Sequence, residues 1–233
     1  MASQADSVEL KLTVPDSALR STVDALGMDP LDAEMRQVVF FDTADLALNQ
    51  VGLLVRARRI QGGSGDTVVK LRPVVPGQLP DNFRKAPQLG VEVDVMPGGH
   101  VCSASMKGAS NAKRIRKVLH GAAKIGSLFE PTQKQFFQAY APDGVRFRDL
   151  KPLGPITILK LKFRPSDYDR RIVAELWFFP DGSRILELST KTAPKDMFSV
   201  GAEVRDYLVT RGVDLSGEQQ TKTKKALQFF ASA

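Results

Sequence analysis

The segment VFFDTADLALNQVGLLVRARR, residues 39–59, decides how the rest of the chain is interpreted. Its second half alternates apolar and charged residues, and side chains two positions apart on a β-strand point to the same face. Arg56 and Arg58 therefore share one face of a predicted strand, while Val55 and Ala57 share the other. The fold depends on what surrounds the face that carries the two arginines.

Six further segments show the same period of two and predict strands: SVELKLTV, TVVKLRPV, GVEVDVMP, PITILKLKF, RIVAELWFF and SRILELSTK. Each places charged residues on one face and apolar residues on the other. The charged faces carry Glu9 and Lys11, Lys70 and Arg72, Glu92 and Asp94, Lys160 and Lys162, Glu175, and Glu187 and Lys191. The sequence therefore predicts a strand-rich α+β fold.

Helices are expected in three places: after Asp16, near residues 111–124 and near residues 195–211. A helical turn is expected at residues 45–50. The Gly-, Ser- and Ala-rich stretch 97–113 predicts a loop that leads into the second helix. The PDG triplets at 142–144 and 180–182 both predict hairpin turns, because proline presets the turn and glycine accepts a positive φ.

Two structures explain seven strands that each have one charged face. An open antiparallel sheet can expose that face to water. A sheet closed into a barrel can point the charges inward, and the alternation of basic and acidic strands favours this because opposite charges then neutralise one another. Ionised groups enclosed in a barrel must pair or meet the charge of a ligand. A barrel therefore implies a highly charged ligand.

Composition limits the function only broadly. Lys and Arg outnumber Asp and Glu by 33 to 26, giving a formal charge of +7, which favours polyanionic partners. No basic segment is interleaved with aromatic residues, so nucleic acid is not the expected partner. No apolar run is long enough for a membrane span, no secretory signal is visible, and the lone Cys102 fits a reducing compartment. The expected location is the cytoplasm.

Several motifs, in order, resemble the CYTH domain, the family of triphosphate tunnel metalloenzymes. The family pattern YFDTxDxxLxxxGxxLRxR is similar to Phe41–Arg58 of this chain. The family also has a first strand with Glu-x-Glu-x-Lys, a strand with a lysine like Lys70, and an acidic strand like Val91–Asp94. A Ser-Lys element near the family's C-terminus is similar to Thr221-Lys222. The resemblance covers residues 7–230 and implies a single CYTH-like domain over residues 1–233.

The resemblance implies a closed antiparallel eight-stranded barrel with a charged lumen and helices packed outside. Members of the family hydrolyse inorganic triphosphate, thiamine triphosphate or RNA 5′-triphosphate, or cyclise ATP to cyclic AMP. Carboxylates hold Mg²⁺ or Mn²⁺, and arginines and lysines hold the phosphates, in line with the oxygen preference of hard cations and the bidentate geometry of guanidinium groups. The implied ligand is a triphosphate-containing small molecule or polyphosphate.

Carried onto this sequence, the resemblance predicts catalytic roles for Glu9, Lys11 and Glu187, and metal binding by Glu9, Glu175 and Glu187. Face alternation alone adds Lys160, Lys162 and Lys191, which a solvated strand edge would also explain. The full predicted phosphate cradle is Lys11, Arg56, Arg58, Lys70, Arg72, Lys160, Lys162, Lys191 and Lys222. Lys134 lies where the family tends to carry an arginine, in a segment that otherwise matches poorly.

Two departures from the family pattern affect the predicted metal site. Ser7 stands where the family has the first carboxylate of strand 1, and Ser189 stands in place of a second carboxylate beside Glu187. Hard-cation affinity depends on ligand charge. Two hypotheses therefore stay open: a metal-dependent triphosphatase, and a non-catalytic module that binds polyphosphate or a nucleotide without metal. An adenylate cyclase of the class IV type is a third, less favoured hypothesis, because no purine pocket is evident.

Overall fold

Strands that close into a barrel dominate the computed structural model, which describes residues 5–217 and 222–231. Over these residues the strands are β1 (Ser7–Val14), β2 (Glu34–Asp42), β3 (Leu53–Ile60), β4 (Ser64–Leu71), β5 (Leu89–Met96), β6 (Gly99–Asn111), β7 (Lys151–Phe163), β8 (Ile172–Phe178) and β9 (Arg184–Thr192). The α-helices are α1 (Leu19–Ala25), α2 (Ala47–Gln50), α3 (Asp81–Arg84), α4 (Ala112–Leu119), α5 (Pro131–Tyr140), α6 (Met197–Thr210) and α7 (Lys222–Ala231). None of these described helices is long and apolar enough to cross a membrane.

The order of strands around the barrel is β1-β5-β6-β4-β3-β2-β7-β8-β9, with β9 pairing back to β1. Every pair is antiparallel except β1 and β5, which run parallel from Ser7 beside Glu92 to Leu10 beside Val95. The predicted closed barrel with helices is confirmed. The predicted eight strands and the purely antiparallel order are wrong. A closed ring with an odd number of strands cannot alternate direction throughout, so nine strands require a parallel pair.

The two additional strands lack the alternation that marks the others. In β2, residues 38–41 are all buried, because the two faces of this strand pack against different apolar clusters. Stretch 97–113, predicted as a loop, contains β6, whose small residues allow close packing. A Cβ atom on Gly108 would lie 2.4 Å from Oε1 of Gln133 on α5. The small side chains of this stretch therefore reflect the close approach of α5 to a strand. They do not indicate that the stretch is a loop.

The predicted helices are confirmed as α1, α4 and α6, and the predicted helical turn as α2. Residues 180–182 form the turn between β8 and β9, as predicted. Residues 142–144 do not form a hairpin, because they lie between α5 and β7.

The two faces of the barrel wall meet different surroundings. The outward face packs under helices, and its apolar residues, such as Val8, Val55 and Leu188, belong to the larger core cluster. The inward face is charged over part of its length and apolar elsewhere. Helix α7 packs its Ala226 and Leu227 against inward-facing side chains of β2, β7, β8 and β9. The prediction that the helices pack outside therefore fails for α7, which covers the apolar part of the lumen.

Gln133 joins α5 to the barrel wall. Its side chain is fully buried, donates from Nε2 to the carbonyl oxygens of Thr67 and Met106 at 3.2 and 3.1 Å, and accepts from the Thr67 hydroxyl at 3.0 Å. Each buried polar group that loses its partner costs about 1–3 kcal/mol.

We expect Gln133→Met to lower the free energy of unfolding by about 2–4 kcal/mol, because several buried groups lose their partner together. Urea denaturation measures this. Gln135→Met, on the exposed side of the same helix, is the matched control and should change stability little. Equal stability of the two variants would contradict this role for Gln133.

Candidate functional site

The interior of the barrel holds a cavity of about 390 Å³, the lumen cavity. Side chains from eight of the nine described strands and from α7 line it. Its charged lining residues are Glu9, Lys11, Arg56, Arg58, Asp66, Lys70, Arg72, Glu92, Asp94, Lys107, Lys160, Glu175, Glu187, Lys191 and Lys222. These are nine cations against six carboxylates, so the lining has three positive charges in excess. Such a cavity favours an anion.

Asp94 lies at the centre of the basic part of the lining. Its side chain is almost completely buried and contacts Nζ of Lys11 at 2.7 Å, Nζ of Lys70 at 3.6 Å and the guanidinium of Arg72. Burial alone would raise the pKa of Asp94, but these three cations lower it to about 2. Asp94 therefore stays ionised and holds three cations around one point.

Lys11 and Lys70 respond differently to burial. Burial disfavours the Lys11 ammonium, yet Glu9 and Asp94 outweigh burial and raise its pKa above the ordinary value. Burial lowers the pKa of Lys70 to about 8, and the attraction of Asp94 offsets this only in part. Lys70 is the cation whose charge is less fully compensated by the protein. An anionic ligand would supply the missing compensation.

Lys222, the first residue of α7, neutralises two carboxylates on adjacent strands. Its Nζ lies 2.6 Å from Glu175 and 2.7 Å from Glu187, which face each other across β8 and β9, and it sits 5.1 Å from the centre of the Trp177 ring. Lys160 contacts the other oxygen of Glu175 at 2.7 Å. Despite burial, Lys222 and Lys160 hold the pKa of Glu175 well below its usual range.

Three carboxylates converge in the lumen, where one oxygen each of Glu9, Glu92 and Asp94 lies within 4.8 Å of the others. The described residues contain no second group of three potential metal-binding side chains this close together. Ser189 donates a hydrogen bond to Glu9, and Ser7 donates one to Glu92, both at 3.3 Å. The two serines that depart from the family pattern therefore contact the carboxylates that converge. They orient those carboxylates but add no charge.

Arg56 lines the cavity without an ion pair among the described residues, as the exposed Lys107 does. Its Nε atom is enclosed and has no hydrogen-bond partner among these residues, which is also true of Nε of Arg72, and burial lowers the pKa of Arg56. Arg58, two residues on, is paired with Asp66 through Nε at 2.9 Å. Of these two arginines, Arg58 is held by the protein, whereas Arg56 has no ion pair among the described residues and lines the cavity.

The structure brings most of the predicted site residues together. The predicted residues that line the lumen cavity are Glu9, Lys11, Arg56, Arg58, Lys70, Arg72, Lys160, Glu175, Glu187, Lys191 and Lys222. Lys162 is exposed and does not line it, although it shares a strand face with Lys160, because β7 ends one residue later. Thr221, which precedes Lys222 in the segment similar to the family's Ser-Lys element, lies outside the described residues.

The carboxylates group differently from the predicted metal set. Glu9 converges with Glu92 and Asp94, whereas Glu175 and Glu187 share Lys222. Alternation placed Glu92 and Asp94 on a charged strand face, but their convergence with Glu9 depends on the parallel pairing of β1 and β5, which the sequence does not reveal. Asp66 and Lys107 also line the cavity, although neither was predicted to do so. Lys107 was missed because it lies in the stretch interpreted as a loop.

Comparison with known proteins identifies the fold. Neither models of known protein families nor curated proteins match the sequence. Solved structures do match. One is HpAC1 from Hippeastrum, which is provisionally assigned as an adenylyl cyclase and described as having a dominant triphosphatase activity. It aligns with a TM-score of 0.68 and 17% identity over 95% of both chains. A provisionally assigned adenylate cyclase from Bacillus halodurans aligns with a TM-score of 0.65 and 11% identity, over 95% of this chain and 97% of that one. At these identities the similarity shows the fold alone.

We expect Lys222→Met to destabilise the protein at pH 7 by about 3–5 kcal/mol, because it leaves two buried carboxylates without their shared cation. The lowered pKa of Glu175 contributes stability above its unfolded value of 4.5, and this contribution is lost as the pH falls. The difference between wild type and variant should therefore be largest at neutral pH and shrink below about pH 4.5.

Denaturation at a series of pH values tests this expectation. Lys195→Met, which removes an exposed lysine next to α6, is the control. A loss of stability in Lys222→Met that does not change with pH would show that lost packing, not charge, is responsible.

Proposed function

We propose that residues 1–233 form a single CYTH-like domain that binds a triphosphate-containing anion in the lumen cavity and hydrolyses it with the help of Mg²⁺ or Mn²⁺. The observation that carries the proposal is the lining itself: an enclosed cavity with three excess positive charges, in which Arg56 has no partner for its Nε. Burying an excess of positive charge is unfavourable unless an anionic ligand neutralises it.

The binding step rests on the basic side chains. Arg56 presents a planar guanidinium suited to two phosphate oxygens, and Lys70 and Lys11 add point charges around Asp94. The cavity volume of about 390 Å³ suits a small anion, not a macromolecule. A triphosphate spreads its charge along a chain, which matches cations supplied by several successive strands.

The converging carboxylates suit a divalent hard cation. Glu9, Glu92 and Asp94 offer oxygen ligands and three negative charges, the donor set that Mg²⁺ and Mn²⁺ prefer. When bound, such a cation neutralises phosphate oxygens and lowers the pKa of a coordinated water. Lys11 now contacts Glu9 at 3.1 Å and Asp94 at 2.7 Å, so its ammonium would have to turn toward a phosphate.

The basic residues of the chain would then hold the phosphate groups in place for the reaction. Arg56, Lys70 and Lys11 hold the phosphate chain, and their charges stabilise the negative charge that is redistributed during phosphoryl transfer. The dominant triphosphatase activity of the Hippeastrum protein of the same fold supports this choice of reaction.

A second candidate function, metal-free binding of a polyanion, is favoured by one specific observation. Each of the six lining carboxylates already contacts a lysine or arginine of the chain. A metal must therefore compete with the protein's own cations, whereas an anion needs to displace nothing to reach Arg56. Adenylate cyclase activity, suggested by the provisional assignments of the structural neighbours, is less favoured, because the described residues that line the lumen cavity are mostly charged and do not suit a purine.

Phosphate release from tripolyphosphate with Mn²⁺, Mg²⁺ or EDTA separates these functions. For a triphosphatase we expect metal-dependent release that Glu9→Gln lowers on the order of a hundredfold, because the variant removes a charged metal ligand. Asp143→Asn, an exposed carboxylate outside the cavity, should leave release unchanged. Tripolyphosphate that binds in EDTA and stays intact with either metal would establish the binding module instead, and cyclic AMP formed from ATP would establish a cyclase.

Restoring a carboxylate at Ser189 tests the acidic cluster. Because Ser189 contacts Glu9 and lies opposite Lys11, we expect Ser189→Glu to strengthen Mn²⁺ binding roughly tenfold and to weaken metal-free tripolyphosphate binding. Isothermal titration with each ligand measures both effects. Ser189→Gln, of equal size and without charge, controls for crowding. Equal Mn²⁺ affinities of the two variants would contradict a metal site at Glu9.

A further inference from the structure

A second and larger cavity lies outside the barrel. This outer cavity, of about 900 Å³, is formed where the end of α4, the segment 121–127, α5 and the chain before β7 meet. It shares no lining residue with the lumen cavity. Any ligand it holds is therefore independent of the proposed triphosphate site.

The floor of the outer cavity is apolar and rigidly supported. Phe147 forms part of it, and its ring stacks on Phe137 at 4.2 Å and on Phe129 at 4.8 Å between centroids. Gly126 packs so closely that a Cβ atom there would lie 3.2 Å from Cβ of Phe147. Leu119 and Ile125 extend the apolar surface. The stacked rings thus fix one side of the cavity, and the segment 121–127 forms much of the rest.

The charged residues of the outer cavity are all of one sign. Lys124, Lys134 and Arg148 line it, and no carboxylate does so among the described residues. Lys134 is half-buried, and its ammonium has no ion pair in the described part of the chain. Arg148 is exposed, and its one ion pair among the described residues is with Asp149, at 3.7 Å. An anionic ligand would therefore supply a counter-charge that the described residues do not give to Lys134.

We propose that the outer cavity binds a small amphiphilic anion, a compound with an apolar body and a phosphate, sulfonate or carboxylate head. The apolar body packs on Leu119, Ile125 and Phe147, and the head pairs with Lys134 and Lys124. A largely apolar pocket with a few convergent polar groups is the usual form of a small-ligand site. The charge complementarity excludes cationic amphiphiles and gives neutral ones no partner for the lysines.

The test uses octyl phosphate, titrated calorimetrically into the full chain in the presence of saturating tripolyphosphate. We expect one molecule to bind, and 1-octanol and inorganic phosphate to bind at least about tenfold more weakly, since each lacks one half of the interaction. Lys134→Met should weaken octyl phosphate about tenfold and the exposed Lys124→Met about threefold, with Lys195→Met as the control.

Amide chemical shifts of residues 118–127 and 147 should change on binding, which places the ligand directly. Octanol that binds as tightly as octyl phosphate, or unchanged binding in both lysine variants, would overturn the proposal. Octyl phosphate that binds only when tripolyphosphate is omitted would have its site in the lumen, and this result would also overturn the proposal. A failure of tripolyphosphate itself to bind would count against the triphosphate site only, because the lysine variants report on the outer cavity alone.

Discussion

The main physical constraint on this fold is that a closed barrel encloses many charged side chains. Fifteen ionisable side chains line one interior cavity, and isolated charges removed from water are costly. The chain meets this cost by pairing across strands. Lys160 lies opposite Glu175, and Arg58 lies opposite Asp66, so that the register of the strands itself creates the ion pairs. What remains after this pairing is a positive excess to which Arg56 and Lys107 contribute, since neither has an ion pair among the described residues.

The same constraint explains the path of the chain at its two ends. β1 inserts between β5 and β9, and it thereby carries Glu9 and Lys11 into the space beside Asp94. Helix α7 turns back over the lumen and supplies Lys222 to Glu175 and Glu187 while its apolar side covers Trp177 and its neighbours. Both ends thus complete the interior. The outer helices have a different task, since they cover the apolar face that alternation leaves outside.

Much of this arrangement could be predicted from the sequence because alternation is a local property. The inward direction of Arg56, Lys70, Lys160 and Glu175 follows from side-chain spacing once the barrel is assumed. Features set by distant parts of the chain could not be predicted. β2 shows no alternation because both of its faces are buried, and the convergence of Glu9 with Glu92 depends on a parallel pairing that leaves no local signal. Lys162 marks the edge of the lumen, since it is exposed and lines a separate cavity, to which Lys160 and Lys191 also contribute.

Calorimetric titration of tripolyphosphate in EDTA into wild type and Arg56→Met tests whether the lumen cavity binds a triphosphate anion. Arg205→Met, an exposed arginine on α6, is the control. We expect one bound molecule in wild type and in the control, and an affinity at least about tenfold lower in Arg56→Met, in line with the loss of a charge-assisted hydrogen bond. No binding to wild type, or equal affinity in the Arg56 variant, would contradict this expectation.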